Sequence, residues 1–136
     1  MRTILASMLC ALATAASAAS PMQPGLWELS MTQDGSGPAP LIARECIAQS
    51  DIDSETKTLP RPDGACKLSN IQRTAIGTTY EIHCANDAVT TQGRAQLTFA
   101  GDRYQGKVDL TSTAKDGRSS ATTLRIDARR VGDCTK

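Results

Sequence analysis

Aromatic side chains are scarce in this chain: one tryptophan, two tyrosines and one phenylalanine in 136 residues. A core short of large rings buries little apolar area per residue, so its folding margin is narrow and cross-links gain importance. Histidine is scarcer still, with His83 alone. No Cys-x-x-Cys pair is present, which removes the common zinc spacing. No Gly-x-Ser-x-Gly elbow occurs, since Ser36 sits in Gly-Ser-Gly without the intervening residues. Phosphate-cradling glycine loops are missing too. An excess of one charge is also lacking. Lys and Arg total 15 against 14 Asp and Glu, and loss of Arg2 would equalise them. That balance argues against generic nucleic-acid binding, which needs a net positive face.

Long apolar runs are confined to the start. Ile4 to Ala16 is interrupted only by Ser7 and Thr14, follows Arg2, and ends in the small residues Ala16-Ser17-Ala18-Ala19. It is too short to cross a hydrocarbon core, which takes about 20 apolar residues. Residues 1–19 therefore read as a cleavable secretory signal, and residues 20–136 as one exported, disulfide-bonded β domain. Cys10 lies inside the apolar run behind Met8 and Leu9. A lipoprotein needs small residues there, so no lipid anchor and no membrane insertion are expected.

Four cysteines outlast the signal: Cys46, Cys66, Cys84 and Cys134. An even number in a small exported chain reads as two disulfides. Cys66 to Arg73 and Thr78 to Cys84 flank a turn at Ala75-Ile76-Gly77. Centring the hairpin on Ala75 sets Leu68 opposite Ile82 and Cys66 opposite Cys84. Directly opposed Cβ atoms approach bonding distance. This register favours Cys66–Cys84 and leaves Cys46–Cys134 to join the two ends of the domain. A slip of one residue would undo it.

The rest of the pattern has period two. In Gly25 to Thr32, Trp27, Leu29 and Met31 share one side. Ala95, Leu97 and Phe99 do so in a later run, as do Tyr104, Gly106, Val108 and Leu110, and then Leu124, Ile126 and Ala128. Asp116-Gly117 is the strongest turn signal. Asp34 to Pro40 reads as a flexible loop, and Ser50 to Thr58 as one short helix capped by Ser50. Gly93 and Gly106 inside strands are expected to mark bends or bulges. The fold class expected is mainly β: a curled antiparallel meander of about six strands, a partial barrel, with one short helix. Trp27 is its expected central core residue.

Charges are unevenly spread. Arg94 to Lys136 holds nine basic and five acidic residues, and Gln33 to Asp63 holds six acidic and three basic. Alternation of Arg with Asp along the same strands reads as a solvated sheet face. Glu81 and His83 sit two apart on one strand, which reads as two outward residues and, as the rival, as a weak metal or acid–base pair.

Pro24-Gly25-Leu26-Trp27-Glu28, the four spaced cysteines and the ending Ala128-Arg129-Arg130-Val131-Gly132-Asp133-Cys134 together resemble the exported bacterial proteins catalogued as domain of unknown function 3617. The resemblance implies a Gram-negative envelope setting and brings no catalytic residues. With the periplasmic setting that the resemblance implies, the residues point to a non-enzymatic domain that holds an unidentified small ligand or docks an envelope protein, at a sheet edge or on the concave face, with no cofactor. One alternative is an inhibitor similar to the small periplasmic lysozyme inhibitors, working through a projecting loop at Gln33 to Leu41. Another is a small hydrolase or metal-dependent enzyme built on His83, Glu81 and nearby carboxylates.

Overall fold

The computed structural model describes residues 22–35, 37, 39–54, 58–60 and 66–135; the expected signal segment and the helix end at residues 55–57 lie outside them. Alternating side chains build seven strands: β1 (Gly25–Gln33), β2 (Leu41–Ile47), β3 (Lys67–Arg73), β4 (Gly77–Ala85), β5 (Val89–Phe99), β6 (Arg103–Ala114) and β7 (Ser119–Gly132), with one helix, α1 (Gln49–Ser54), after β2. They form a single antiparallel sheet in the order β2-β1-β7-β6-β5-β4-β3. The sheet is curled and does not close, so β2 and β3 remain edges.

Tight turns explain the meander from β3 to β7. At β4–β5, the Asn86 carboxamide oxygen accepts from the amides of Ala88 and Val89, both at 2.9 Å. At β6–β7, Gly117 adopts φ +85°, a value that needs glycine, and the Asp116 carboxylate accepts from the Arg118 amide at 3.0 Å. The Trp27 strand then lies beside β7 in the register Glu28↔Arg129, Leu29↔Ala128, Ser30↔Asp127. One strand more is present than the period-two pattern shows. β2 follows β1 through the Asp34–Gly35 turn, and Leu41 and Ile42 stay exposed on it. An edge strand with no cleanly buried side carries no alternation to read.

Trp27, Tyr80, Tyr104, Ile47 and Leu97 are the largest wholly buried side chains. Ile52 of α1, Leu59 and Met22 cover the same apolar side. Polar ends buried with the rings find backbone partners: the Trp27 indole N–H donates to the Gln23 carbonyl at 3.0 Å, and the Tyr80 hydroxyl to the Pro60 carbonyl at 2.6 Å.

Three local expectations need correction. The helix begins after Ala48, not at Ser50: the amide of Ile52 donates to the Ala48 carbonyl, and Asp51 reaches back to accept from the Ala48 amide at 2.9 Å. Asp51 thus takes the part expected of Asp53, and Ala48 stands where Ser50 was expected, with no side chain to complete the cap. Gly93 and Gly106 sit in unbroken ladders rather than in bulges. They mark close approach instead, since a Cβ on Gly93 would lie 2.3 Å from the Asp109 carbonyl oxygen. The register shifts fall between Leu26 and Trp27 in β1 and between Ser69 and Gln72 in β3.

The second of these shifts bears on the disulfides. Near the turn, Arg73 faces Thr78 and Gln72 faces Thr79, one residue off a hairpin centred on Ala75. Asn70 and Ile71 then stand opposite Tyr80 alone, a bulge with Asn70 at φ 49°, a conformation asparagine tolerates. Beyond it Leu68 faces Ile82 and Lys67 faces His83. Cys66 and Cys84 are bonded with Cα atoms 4.2 Å apart, and Cys46 and Cys134 with Cα atoms 5.5 Å apart. Two disulfides belong to an oxidising, exported environment. No described helix is long and apolar enough to cross a membrane.

Candidate functional site: a polar trough across four strands

Because the sheet buries one side, the other carries every second residue of β1, β7, β6 and β5. Two cross-strand rows result. Ser30, Asp127, Gln105 and Thr98 form one, through the pairs Ser30↔Asp127, Asp127↔Gln105 and Gln105↔Thr98. Glu28, Arg129 and Arg103 form the other, ending near Ala100 at the β5–β6 turn. Between them lies a trough of about 630 Å³, also lined by Tyr104 and Ala128. That volume lies within the usual range of small-molecule sites.

Its electrostatics are organised around Glu28. One carboxylate oxygen accepts from Arg44 at 2.7 and 2.9 Å, and the other from Arg129 at 2.7 and 3.2 Å. Glu28 is far less exposed than either arginine, 17% against 65% for both. The hydrogen bonds from Arg129, and then those from Arg44, hold its carboxyl below the ordinary 4.5. Beyond the trough, Asp34 accepts two bonds from Arg125 at 2.7 and 3.0 Å, and Asp109 accepts from Thr123 at 2.6 Å. Both carboxyls are lowered from 3.8, Asp34 first by Arg125 and Asp109 first by Thr123. The acidic early part of the chain thus meets its basic end across the β1–β7 seam.

These lowered carboxyls fix a pH dependence. Their folded values lie below the unfolded ones, so the stability they contribute is present above the unfolded range and is lost as pH falls through the folded values. Melting temperature should therefore hold near neutrality and decline below about pH 4.5. Each pair is solvent-screened, so 0.5 M salt should shrink the decline. Calorimetry across pH at two salt concentrations measures both effects.

Two groups in the trough are not neutralised. The Arg103 guanidinium has no hydrogen-bond or ion-pair partner among the described residues, although Arg103 stands directly opposite Arg129. Asp127 accepts only the neutral Gln105 amide, at 2.9 Å. Burial raises the Tyr104 hydroxyl well above its ordinary 10, so it stays protonated through any physiological range.

The residues picked out from sequence lie elsewhere. His83 is exposed on β4 between Lys67 and Gln92, and Glu81 beside it accepts from the Asn70 side-chain amide at 2.7 Å. Among the described residues no three His, Cys, Asp or Glu side chains gather where a metal could sit. His83→Ala should change unfolding free energy by no more than about 0.5 kcal/mol, as exposed substitutions usually do. A larger change in a urea titration would show His83 to have a structural partner. The connection from Gln33 to Leu41 is held at its start by the Asp34–Arg125 pair, and residues 36 and 38 lie outside the described part. Trp27 is wholly buried beneath the sheet. Sequence reading missed the trough, whose partners are as far apart as Glu28 and Arg129. The only signal was the alternation of charged residues in β6 and β7.

The family model described as "Protein of unknown function (DUF3617)" matches residues 22–134. No curated protein and no solved structure matches the chain.

Proposed function

We propose that this chain, which belongs to the DUF3617 family, is a periplasmic binding domain that holds a small ligand in the polar trough without transforming it. The trough carries the reading. Its lining side chains project from four hydrogen-bonded strands, not from loops, so they are positioned before a ligand arrives and little ordering cost falls on binding. The two disulfides and the expected signal support the setting.

Native mass spectrometry and amide NMR of protein isolated gently from periplasmic extract test both halves. The expected result is a polypeptide beginning at Ala19 or Ser20, free of lipid and carrying a bound small molecule that shifts the backbone amide resonances of Ser30, Gln105 and Asp127. A chain that keeps Met1 would overturn the setting. A co-purified molecule that perturbs a different surface would overturn the site.

A further inference from the structure

We propose that the trough selects a small zwitterion, with an oxyanion bridging Arg103 and Arg129 and an ammonium group at Asp127. This inference rests on the trough being the binding site.

The argument starts from a charge placement that folding alone does not favour. Arg103 and Arg129 are direct cross-strand partners on one face. Like charges so placed repel and cost stability. Arg129 is offset by Glu28, but Glu28 has one oxygen on Arg44 and the other on Arg129. Both Glu28 oxygens are thus taken, and the Arg103 guanidinium has no acceptor among the described residues. An oxyanion set between the two guanidinium groups supplies one, since each presents a planar fork of donors that matches a carboxylate or phosphate edge. Nearby Ser30 and Thr98 add hydroxyl donors along the trough wall.

Asp127 supplies the opposite pole. It is two residues from Arg129 on β7 and lies diagonally across from Arg103 on β6. Diagonal neighbours stand about 7–8 Å apart, and the structure pairs Asp127 only with the neutral Gln105 amide. A simple anion placed on the arginines would meet this carboxylate as a repulsion. A ligand that carries an ammonium group a few bonds from its oxyanion meets it as a partner. The chemistry is thus an aminoalkyl phosphate or an amino acid, and the oxyanion type distinguishes the two.

Titration calorimetry and amide NMR of the full mature domain test this with phosphoethanolamine, β-alanine and inorganic phosphate as probes. At least one zwitterion should bind at least tenfold more tightly than inorganic phosphate, and whichever does identifies the oxyanion. Arg103→Gln should weaken that binding at least tenfold. Asp127→Asn should weaken the zwitterion and tighten phosphate, so that the preference for the zwitterion is lost. Both residues are exposed, so both variants should melt near the parent. Inorganic phosphate binding as tightly as the better of the two zwitterions, or binding unaltered in Arg103→Gln, would overturn the inference. If all three probes leave the trough amides unmoved while a co-purified molecule shifts them, the zwitterion inference fails and the trough reading stands. If that molecule shifts amides elsewhere, both fail.

Discussion

Replacing Cys46 and Cys134 together by alanine should lower the unfolding free energy of the mature domain by about 4–5 kcal/mol. In the chain-entropy account the effect grows with the loop closed, and a loop near 100 residues stabilises by about 4.7 kcal/mol. These two cysteines are 88 residues apart, against 18 for Cys66 and Cys84, whose removal should cost about 3 kcal/mol. Position adds to length. Cys46 closes β2 opposite Leu26, and Cys134 follows the end of β7 opposite the same residue's other side. The bond therefore fastens an edge strand to the far end of the chain across β1. Without it β2 keeps its ladder to β1, the Arg44–Glu28 pair and the buried Ile47, and hydrogen exchange should show Leu41–Ile47 opening well before β4–β6. Urea titrations of the two double variants decide the order of effect. A smaller loss for the Cys46/Cys134 variant than for the Cys66/Cys84 variant would refute the entropic ranking. If the former does not fold at all, titration of the parent with and without reductant, followed by trapping of each thiol, gives the same ranking.

The strand faces were legible because they depend on local periodicity, and Cys46–Cys134 followed by exclusion once Cys66 was set opposite Cys84. Tyr80, Ile82 and Cys84, or Leu124, Ile126 and Ala128, can fall on one side only if the chain is extended. The register near Cys66 was legible for a less secure reason. The turn is offset by one residue from Ala75, and the Asn70–Ile71 bulge restores the pairing before the cysteines are reached. Nothing in the pattern announces that bulge except an asparagine, which tolerates positive φ. β2 was hidden because Leu41 and Ile42 are apolar yet exposed, so hydrophobicity and burial disagree along it. The trough was hidden for a topological reason. It requires β1 to lie against β7, a contact between the two ends of the domain, and local patterns say which face a residue takes but not which distant strand stands beside it. Once that contact is known, the surplus of arginine near the C-terminus has an account: Arg125 and Arg129 answer Asp34 and Glu28, and Arg103 is left over.

Trp27→Ala should remove most or all of the domain's stability. The side chain is wholly buried and stands at the centre of the apolar side, with its ring 5.7 Å from that of Tyr104, which in turn lies 5.7 Å from Phe99. Three of the chain's four aromatic rings are therefore in one connected cluster, and Trp27 is the largest member. Truncating a buried tryptophan to alanine costs about 3–5 kcal/mol, because the cavity left behind does not fully collapse. Small domains have only about 5–15 kcal/mol in total, and a core poor in aromatics sits toward the low end. Trp27→Phe separates packing from hydrogen bonding. It keeps a ring against Tyr104 but deletes the indole donor to the Gln23 carbonyl, so it should cost about 1–3 kcal/mol, from the lost bond and a smaller void. Gln23 itself is held to Gly101, at the β5–β6 turn that closes the trough. Loss of the indole bond should consequently loosen residues 22–24 before it loosens the sheet. Far-UV circular dichroism is the readout, since both variants lack tryptophan fluorescence. A Trp27→Ala protein that melts within a few degrees of the parent would show that the ring lends the fold little, and that the other buried residues suffice to hold β1 against β7.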